Sequence, residues 1–139
     1  MGSQARVTQY QCTHFVRQTL GYNTPGVANG VVIGYIPAGS RVATTHTYVD
    51  QAQNAGTTNT VSIGYIPTDA QGRLTAALTP QNQLVNAQAT GTAGQFTATP
   101  AGTNGIITTD VAVVASLAQS GTAATAGVVT PVVTYFPNL

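Results

Sequence analysis

Charge is what this chain nearly lacks, and the lack narrows the folds open to it. Seven of its 139 residues are formally charged, a share of 5%, where ordinary soluble domains carry about 25%. The charges are Arg6, Arg17, Arg41 and Arg73 against Asp50, Asp69 and Asp110, with no Lys and no Glu. Lys and Glu are among the good formers of exposed helix faces, so a helical surface has little to be made from. Threonine fills 24 positions instead, and its branched Cβ packs well on a pleated sheet. The surface must be built from Thr, Gln, Asn, Ser, Gly and Ala. Such a surface has little self-repulsion to hold copies apart, which suits a permanent assembly.

The length fits one domain, and 42% hydrophobic residues are enough for a core without disulfides or a metal. A net charge of +1 with scattered arginines argues against a nucleic-acid partner, because phosphate binding needs clustered cations. Cys12 is the single cysteine, so no disulfide forms within the chain. Residues 1–11 lack the apolar stretch of a secretory signal, and no apolar run approaches 18 residues, so no membrane span is expected. Synthesis in a cytoplasm is the expectation.

Periodicity points to strands. From Arg6 to Leu20, Tyr10, Cys12, His14, Val16 and Leu20 share one face, and Gln9, Gln11, Thr13 and Arg17 the other; period two with one apolar face reads as a half-buried strand. Pro25, Gly26, Asn29 and Gly30 then mark turns. Val31 to Ile36 reads as a strand stopped by Pro37, which cannot donate to a ladder. Arg41 to Val49 is a strand whose buried side is ambiguous: Val42 and Tyr48 lie on one side, Ala43 and Val49 on the other. Residues 54–59 read as a loop, and Thr60 to Ile66 as a strand with Val61, Ile63 and Tyr65 on one face. Residues 68–105 are harder to read. Leu74 to Leu78 fits a short strand or a helical turn, Pro80 blocks a longer helix, and Gln95 to Thr99 fits another short strand. Ile107, Val111, Val113, Ala115 and Leu117 alternate against Thr108, Asp110 and Ser116, which predicts a strand with a solvated outer face. Residues 119–127 form a loop before a last strand, Val128 to Phe136. Several short strands between turn signals indicate a sandwich or barrel.

One repeat stands out. Val31-Val32-Ile33-Gly34-Tyr35-Ile36-Pro37 returns as Val61-Ser62-Ile63-Gly64-Tyr65-Ile66-Pro67. A solenoid with this offset of 30 would need a third copy near Gly91, and none is there. The pair reads as two equivalent strands, each with a Gly at a bulge or close approach.

Catalytic patterns are weak. Asp50, Asp69 and Asp110 are too dispersed for their spacing to define a carboxylate pair. Cys12, His14 and His46 supply three possible zinc ligands, but packing of Cys12 and His14 as half-buried strand residues accounts for them as well. Ser40, Ser62 and Ser116 with His46 and Asp110 contain the ingredients of a triad without a G-x-S-x-G elbow. No phosphate-binding glycine pattern occurs. The sequence therefore assigns no catalytic, cofactor-binding or metal residue. Tyr10, Tyr22, Tyr35, Tyr48, Tyr65 and Tyr135 read mainly as partly buried sheet residues, or alternatively as a sugar- or protein-binding face.

Three segments carry a family resemblance. Residues 33–42, Ile33-Gly34-Tyr35-Ile36-Pro37-Ala38-Gly39-Ser40-Arg41-Val42, resemble the G-x-I-P-A-G strand entry of small tailed-phage virion proteins. Residues 51–64 resemble their A-F-N-A-G-T-T-N-T hairpin, with Gln53 standing where that pattern has an aromatic. Residues 119–127, followed by Val132 to Pro137, are similar to their closing hairpin. The resemblance spans about half the chain, and residues 68–105 lie outside it. It implies a capsid cement or decoration protein: an all-β, jelly-roll-like antiparallel sandwich of about eight strands, forming a single domain over 1–139 with short extended terminal arms. The implied partners are the major capsid protein and the chain itself, as a homodimer or homotrimer at a capsid symmetry axis. The implied location is the capsid exterior, after synthesis in the bacterial host cytoplasm. Residues Met1 to Ala5 and Phe136 to Leu139 are the segments expected to add to neighbouring sheets. The alternative is a carbohydrate- or receptor-binding sandwich of a phage tail or spike.

Overall fold

A computed structural model describes residues 13–137. Nine strands appear among them: β1 His14–Arg17, β2 Leu20–Gly21, β3 Val31–Ile36, β4 Arg41–Gln51, β5 Thr58–Pro67, β6 Val85–Ala89, β7 Gly94–Ala98, β8 Val111–Ser120 and β9 Val128–Phe136. They form two antiparallel sheets. One runs β1-β9-β4-β7, with β2 also on β9; the other runs β3-β8-β5-β6. Strands β1 and β2 pair with successive stretches of β9, so together they fill one strand position and the sandwich has eight. With β1 and β2 counted as one position, every connection crosses between sheets except β5 to β6. This is the jelly-roll order, in which two four-position sheets bury their inner faces against each other.

The core joins both sheets. Leu20, Val42, Val129 and Val133 from one meet Ile33, Ile36, Val61, Ile63, Val113 and Leu117 from the other. Each such side chain removed from water contributes about 1.5–3 kcal/mol before entropy is counted. The ambiguous side of β4 is resolved by a bulge. Its register against β9 shifts between Val42 and Thr44, which puts even-numbered Val42 on the same inner face as odd-numbered Thr45, Thr47 and Val49, all at most 4% exposed. A strict period of two cannot produce that face; one extra residue in the strand does.

The expectation for β8 needs correction. Its outer face is not solvated: Ala112 and Val114 are fully buried and Ser116 nearly so. The connection 74–84 reaches this face beside Val114. Leu78 and the carbonyl of Thr79 approach Gly30 beside Val114, and the amide of Leu84 donates to the carbonyl of Ile63. This connection is neither helical nor a regular strand apart from the Thr68–Leu74 bridge. It helps to cover a sheet whose strand β8 is buried on both faces.

The repeated heptads become β3 and β5, which flank β8 on its two sides. Each glycine marks a close approach. A β-carbon on Gly34 would sit 2.6 Å from Val16, and one on Gly64 would collide with Gln83 and Gln81. The two copies are not equivalent in environment. Tyr65 is partly covered and donates its hydroxyl to the carbonyl of Asn104 at 2.9 Å, whereas Tyr35 on the edge strand is 57% exposed.

Two segments of the family resemblance interlock at one end of the sandwich. Asn54 accepts from the amides of Thr125 and Ala126 and donates to the Thr125 hydroxyl. Asn59 closes its own loop by accepting from the Ala55 amide and donating to the Ala55 carbonyl. Gly56 and Thr57 donate to the carbonyls of Thr122 and Ser120. Gln53, standing in the usual aromatic position, is 3% exposed and accepts from the Thr90 hydroxyl. The arm expected at Phe136 is corrected in part: Phe136 is the last residue of β9, paired with Arg41. Met1 to Ala5, Tyr10 and Cys12 lie outside the described residues.

Candidate functional site

The pleat that buries Val129 and Val133 turns the alternate residues of the same sheet outward. On β1, Phe15 and Arg17 point out; on β9, Thr130, Val132 and Thr134; on β4, Thr44, His46, Tyr48 and Asp50. The register places Phe15 beside Thr134, Arg17 beside Val132, and His46 on the other side of Val132. With Thr19 and without Thr44, they line an open depression of about 690 Å³ across the five-stranded sheet.

Its polar groups are already organised. The hydroxyls of Thr19 and Thr130 lie 3.1 Å apart, and Thr130 donates to Asp50 at 2.8 Å. His46 sits among Thr44, Thr97 and Gln95, at 3.3, 3.1 and 3.4 Å from its ring nitrogens. Its ring is 6.2 Å from that of Tyr48, tilted by 36°. The depression thus combines Arg17 and Asp50, one charge of each sign, with hydroxyls and three ring systems. It offers stacking and hydrogen bonding, with no oriented nucleophile and base.

The residues weighed for catalysis or metal binding do not converge. His14 shares the inward face of its strand with Val16 and stacks near Tyr135, ring centres 5.7 Å apart, whereas His46 faces outward from the same sheet. The backbone layer separates them, and Cys12 lies outside the described residues. No group of three metal-ligating side chains occurs among the described residues. Ser40 and Ser116 are buried. Ser62 accepts from the amide of Ala87, and Asp110 accepts from the amide of Ala38. Both are on or beside the four-stranded sheet, away from His46. Asp69 holds its own turn, accepting from the amides of Gln71 and Arg73 and from the Arg73 guanidinium. The described tyrosines do not form a row: Tyr135 is buried, Tyr22, Tyr48 and Tyr65 are half-buried, and Tyr35 is exposed. Burial raises the Tyr65 hydroxyl above its ordinary pKa.

Sequence reasoning missed the depression because its members come from β1, β4 and β9, strands far apart in the chain. The one available signal was the odd-numbered pair Phe15 and Arg17, opposite in phase to the apolar face of the first strand.

The fold belongs to a class used to build shells and to present surfaces, the double-sheet jelly roll. Comparison with solved structures is more particular. The chain superimposes on one from the capsid of Ralstonia phage GP4 with a TM-score of 0.62, over 91% of this chain and 84% of that one, at 20% identity. It superimposes on one from the cyanophage Pam1 capsid asymmetric unit with a TM-score of 0.57, over 90% and 84%, again at 20% identity. At this identity the likeness is one of fold. No protein-family model and no curated protein sequence matches the chain.

Proposed function

We propose that this chain is a structural virion protein, a capsid cement or decoration protein that binds the outer capsid surface and bridges major capsid protein subunits. The reading rests on one observation above the others: its jelly roll is shared, over nine-tenths of its length, with chains from two phage capsids. The sparse charge supports it, because a near-neutral surface of hydroxyls, amides and apolar groups binds by contact and hydrogen bonding rather than Coulomb attraction. Many weak contacts, each copy spanning two or more subunits as a homodimer or homotrimer at a symmetry axis, would raise the barrier to rupture of the lattice. No bond is made or broken in this role.

The experiment is imaging of purified particles with and without the chain, combined with their thermal rupture. Added density on the shell exterior and a higher rupture temperature are expected. Particles that lack the protein, or that carry it and rupture at an unchanged temperature, would refute the reading.

The depression between Phe15, His46 and Tyr48 favours a second reading, a glycan- or receptor-binding face. Rings beside paired polar groups are the chemistry that holds a sugar ring. A glycan array with hits that disappear in Phe15→Ala and Tyr48→Ala would support it, and an array with no hits would remove it.

A further inference from the structure

An edge strand presents unpaired N–H and C=O groups to any strand that meets it. Among the described residues the edges of the two sheets are β1 with β2, β7, β3 and β6. Three of them are blunted. β1 is 4 residues long, carries Arg17 and gives way to β2 across residues 18–19. β3 shifts register between Val32 and Gly34 and is stopped by Pro37. β6 holds an extra residue opposite residues 61–63, where Ala87 stands at φ 51° and turns its amide to the Ser62 hydroxyl. Short length, charge, proline and bulges are the devices that keep edges from pairing.

β7 has no charge, no proline and no bulge. Its residues, Gly94–Ala98, pair with β4 in unbroken register from Val49 to Thr45. Gly94, Gln95 and Thr97 are exposed, and among the described residues no turn or loop bond takes up the backbone groups of this strand. From residue 74 to residue 109 there is no charged side chain. Gln95 and Thr97 stand on the outer face beside His46. Phe96 and Ala98, opposite the inward Thr47 and Thr45, face the core and stay half-buried.

This edge is complementary to itself. Set antiparallel to its own copy about a twofold through Phe96, β7 puts Gln95 opposite Thr97 and Gly94 opposite Ala98, and the two half-buried rings meet. In an antiparallel pair such a twofold returns every outward N–H to an outward C=O, so the match holds in either hydrogen-bonding phase. The charges nearest to β7 along its partner strand β4, Arg41 and Asp50, lie toward opposite ends of that strand. The twofold brings the Asp50 end of one copy alongside the Arg41 end of the other, so like charges do not face each other. A contact of this kind is isologous and closes at two copies.

We propose that two copies of this chain pair β7 to β7 antiparallel, making one continuous sheet across a homodimer. This rests on the proposed capsid role for its place at a symmetry axis, and it gives the homodimer of that role a surface. The ladder is short, because Pro100, two residues beyond Ala98, has no N–H to extend it. The dimer is therefore weak in solution and is held on a shell by the other contacts that each copy makes.

The test is sedimentation velocity on the purified full chain at concentrations up to roughly 1 mM. The native chain should pass from monomer to dimer over that range. Gln95→Lys with Thr97→Lys sets like charges opposite each other across the twofold and should weaken the dimer roughly tenfold. Gln95→Asp with Thr97→Asp should do the same by itself. Mixing the two double variants should restore dimers as heterodimers, which a folding defect does not produce. Tyr35→Lys, on edge strand β3, should leave dimerisation unchanged; a loss there moves the contact to β3 and overturns the inference. Circular dichroism checks folding, and should the lysine pair fail to fold, the aspartate pair carries the test. A chain that stays monomeric overturns the inference, as does a trimer or a dimer untouched by both double variants. Loss of the dimer without rescue on mixing removes β7 of a second copy as the occupant. Binding to empty shells of the major capsid protein is measured separately. Normal shell binding by a monomeric chain overturns the edge contact and leaves the capsid role standing, whereas a dimer that binds no shell removes that role and leaves the edge contact.

Discussion

The side-chain amide of Gln83 holds both backbone polar groups of Tyr65. It accepts from the Tyr65 amide at 3.1 Å and donates to the Tyr65 carbonyl at 3.2 Å. Strand β6 pairs with β5 only as far as Ile63, and beyond that point Gln83 takes the place of a strand. The substitution works because Gly64 leaves room for it; any β-carbon there would collide with the amide.

Replacing Gln83 with Leu should therefore leave two backbone groups without partners and cost about 1–3 kcal/mol in urea denaturation. Gly64→Ala should cost a similar amount by displacing the same amide. The two together should cost clearly less than their sum, since each breaks one shared contact. Full additivity would show that Gln83 and Gly64 act separately.

Thr45 points into the core, 1% exposed, and its hydroxyl finds no hydrogen-bond partner among the described residues. Valine has nearly its shape without the buried oxygen. Thr45→Val should raise stability by about 1 kcal/mol. The matched change Thr90→Val should lower it, because that hydroxyl donates to Gln53. Equal effects of the two, measured by thermal melting, would contradict the assignment.

Asp69 sets a pH dependence. The backbone amide of Arg73 is the largest influence on its carboxyl, and with the Arg73 side chain and the Gln71 amide it holds the pKa below the ordinary value despite some opposing desolvation. A carboxyl depressed in the folded state contributes stability that is complete above its unfolded pKa, about 3.9. That contribution is lost as pH falls through the lower folded value. The 69–73 turn should thus loosen only under strong acid, read as faster amide exchange of Gln71 and Arg73. In Asp69→Asn the exchange should be faster already at neutral pH and respond less to acid. A native turn that loosens between pH 5 and 7 would assign the effect to another group.

Sparse charge makes a prediction about assembly. Raising salt from about 0.1 M to about 1 M shortens the Debye length from roughly 10 Å to 3 Å. Under the proposed capsid-binding role, release from particles should change little over that range, whereas a steep loss would point to Coulomb attraction between the partners.

Much of the sandwich was legible. The all-β class followed from threonine and the missing Lys and Glu, and strand ends at Ile36 and Phe136 followed from Pro37 and from alternation. Val61, Ile63 and Tyr65 were placed on one face correctly. The inner face of β4 was not legible, because a single inserted residue at Ala43 reverses the phase and periodicity cannot register it. The buried outer face of β8 was missed because Ser116 looks solvent-bound to any pattern; its cover, which beside Val114 includes Gly30, Leu78 and Thr79, comes from segments far away in the chain. The depression lined by Phe15 and His46 was missed because pairing of β1 and β4 through β9 joins residues that no local window contains.

The sequence by itself determined the material: a chain with almost no ionisable groups, rich in branched residues and broken by Pro and Gly, has strands as its available regular structure and few means of doing chemistry. The tertiary structure decided which residues became surface. Side-chain alternation says that a strand has two faces, but which face meets the partner sheet and which is covered by a loop depend on contacts between segments far apart in the chain. Those contacts form only when the two sheets close on a common core.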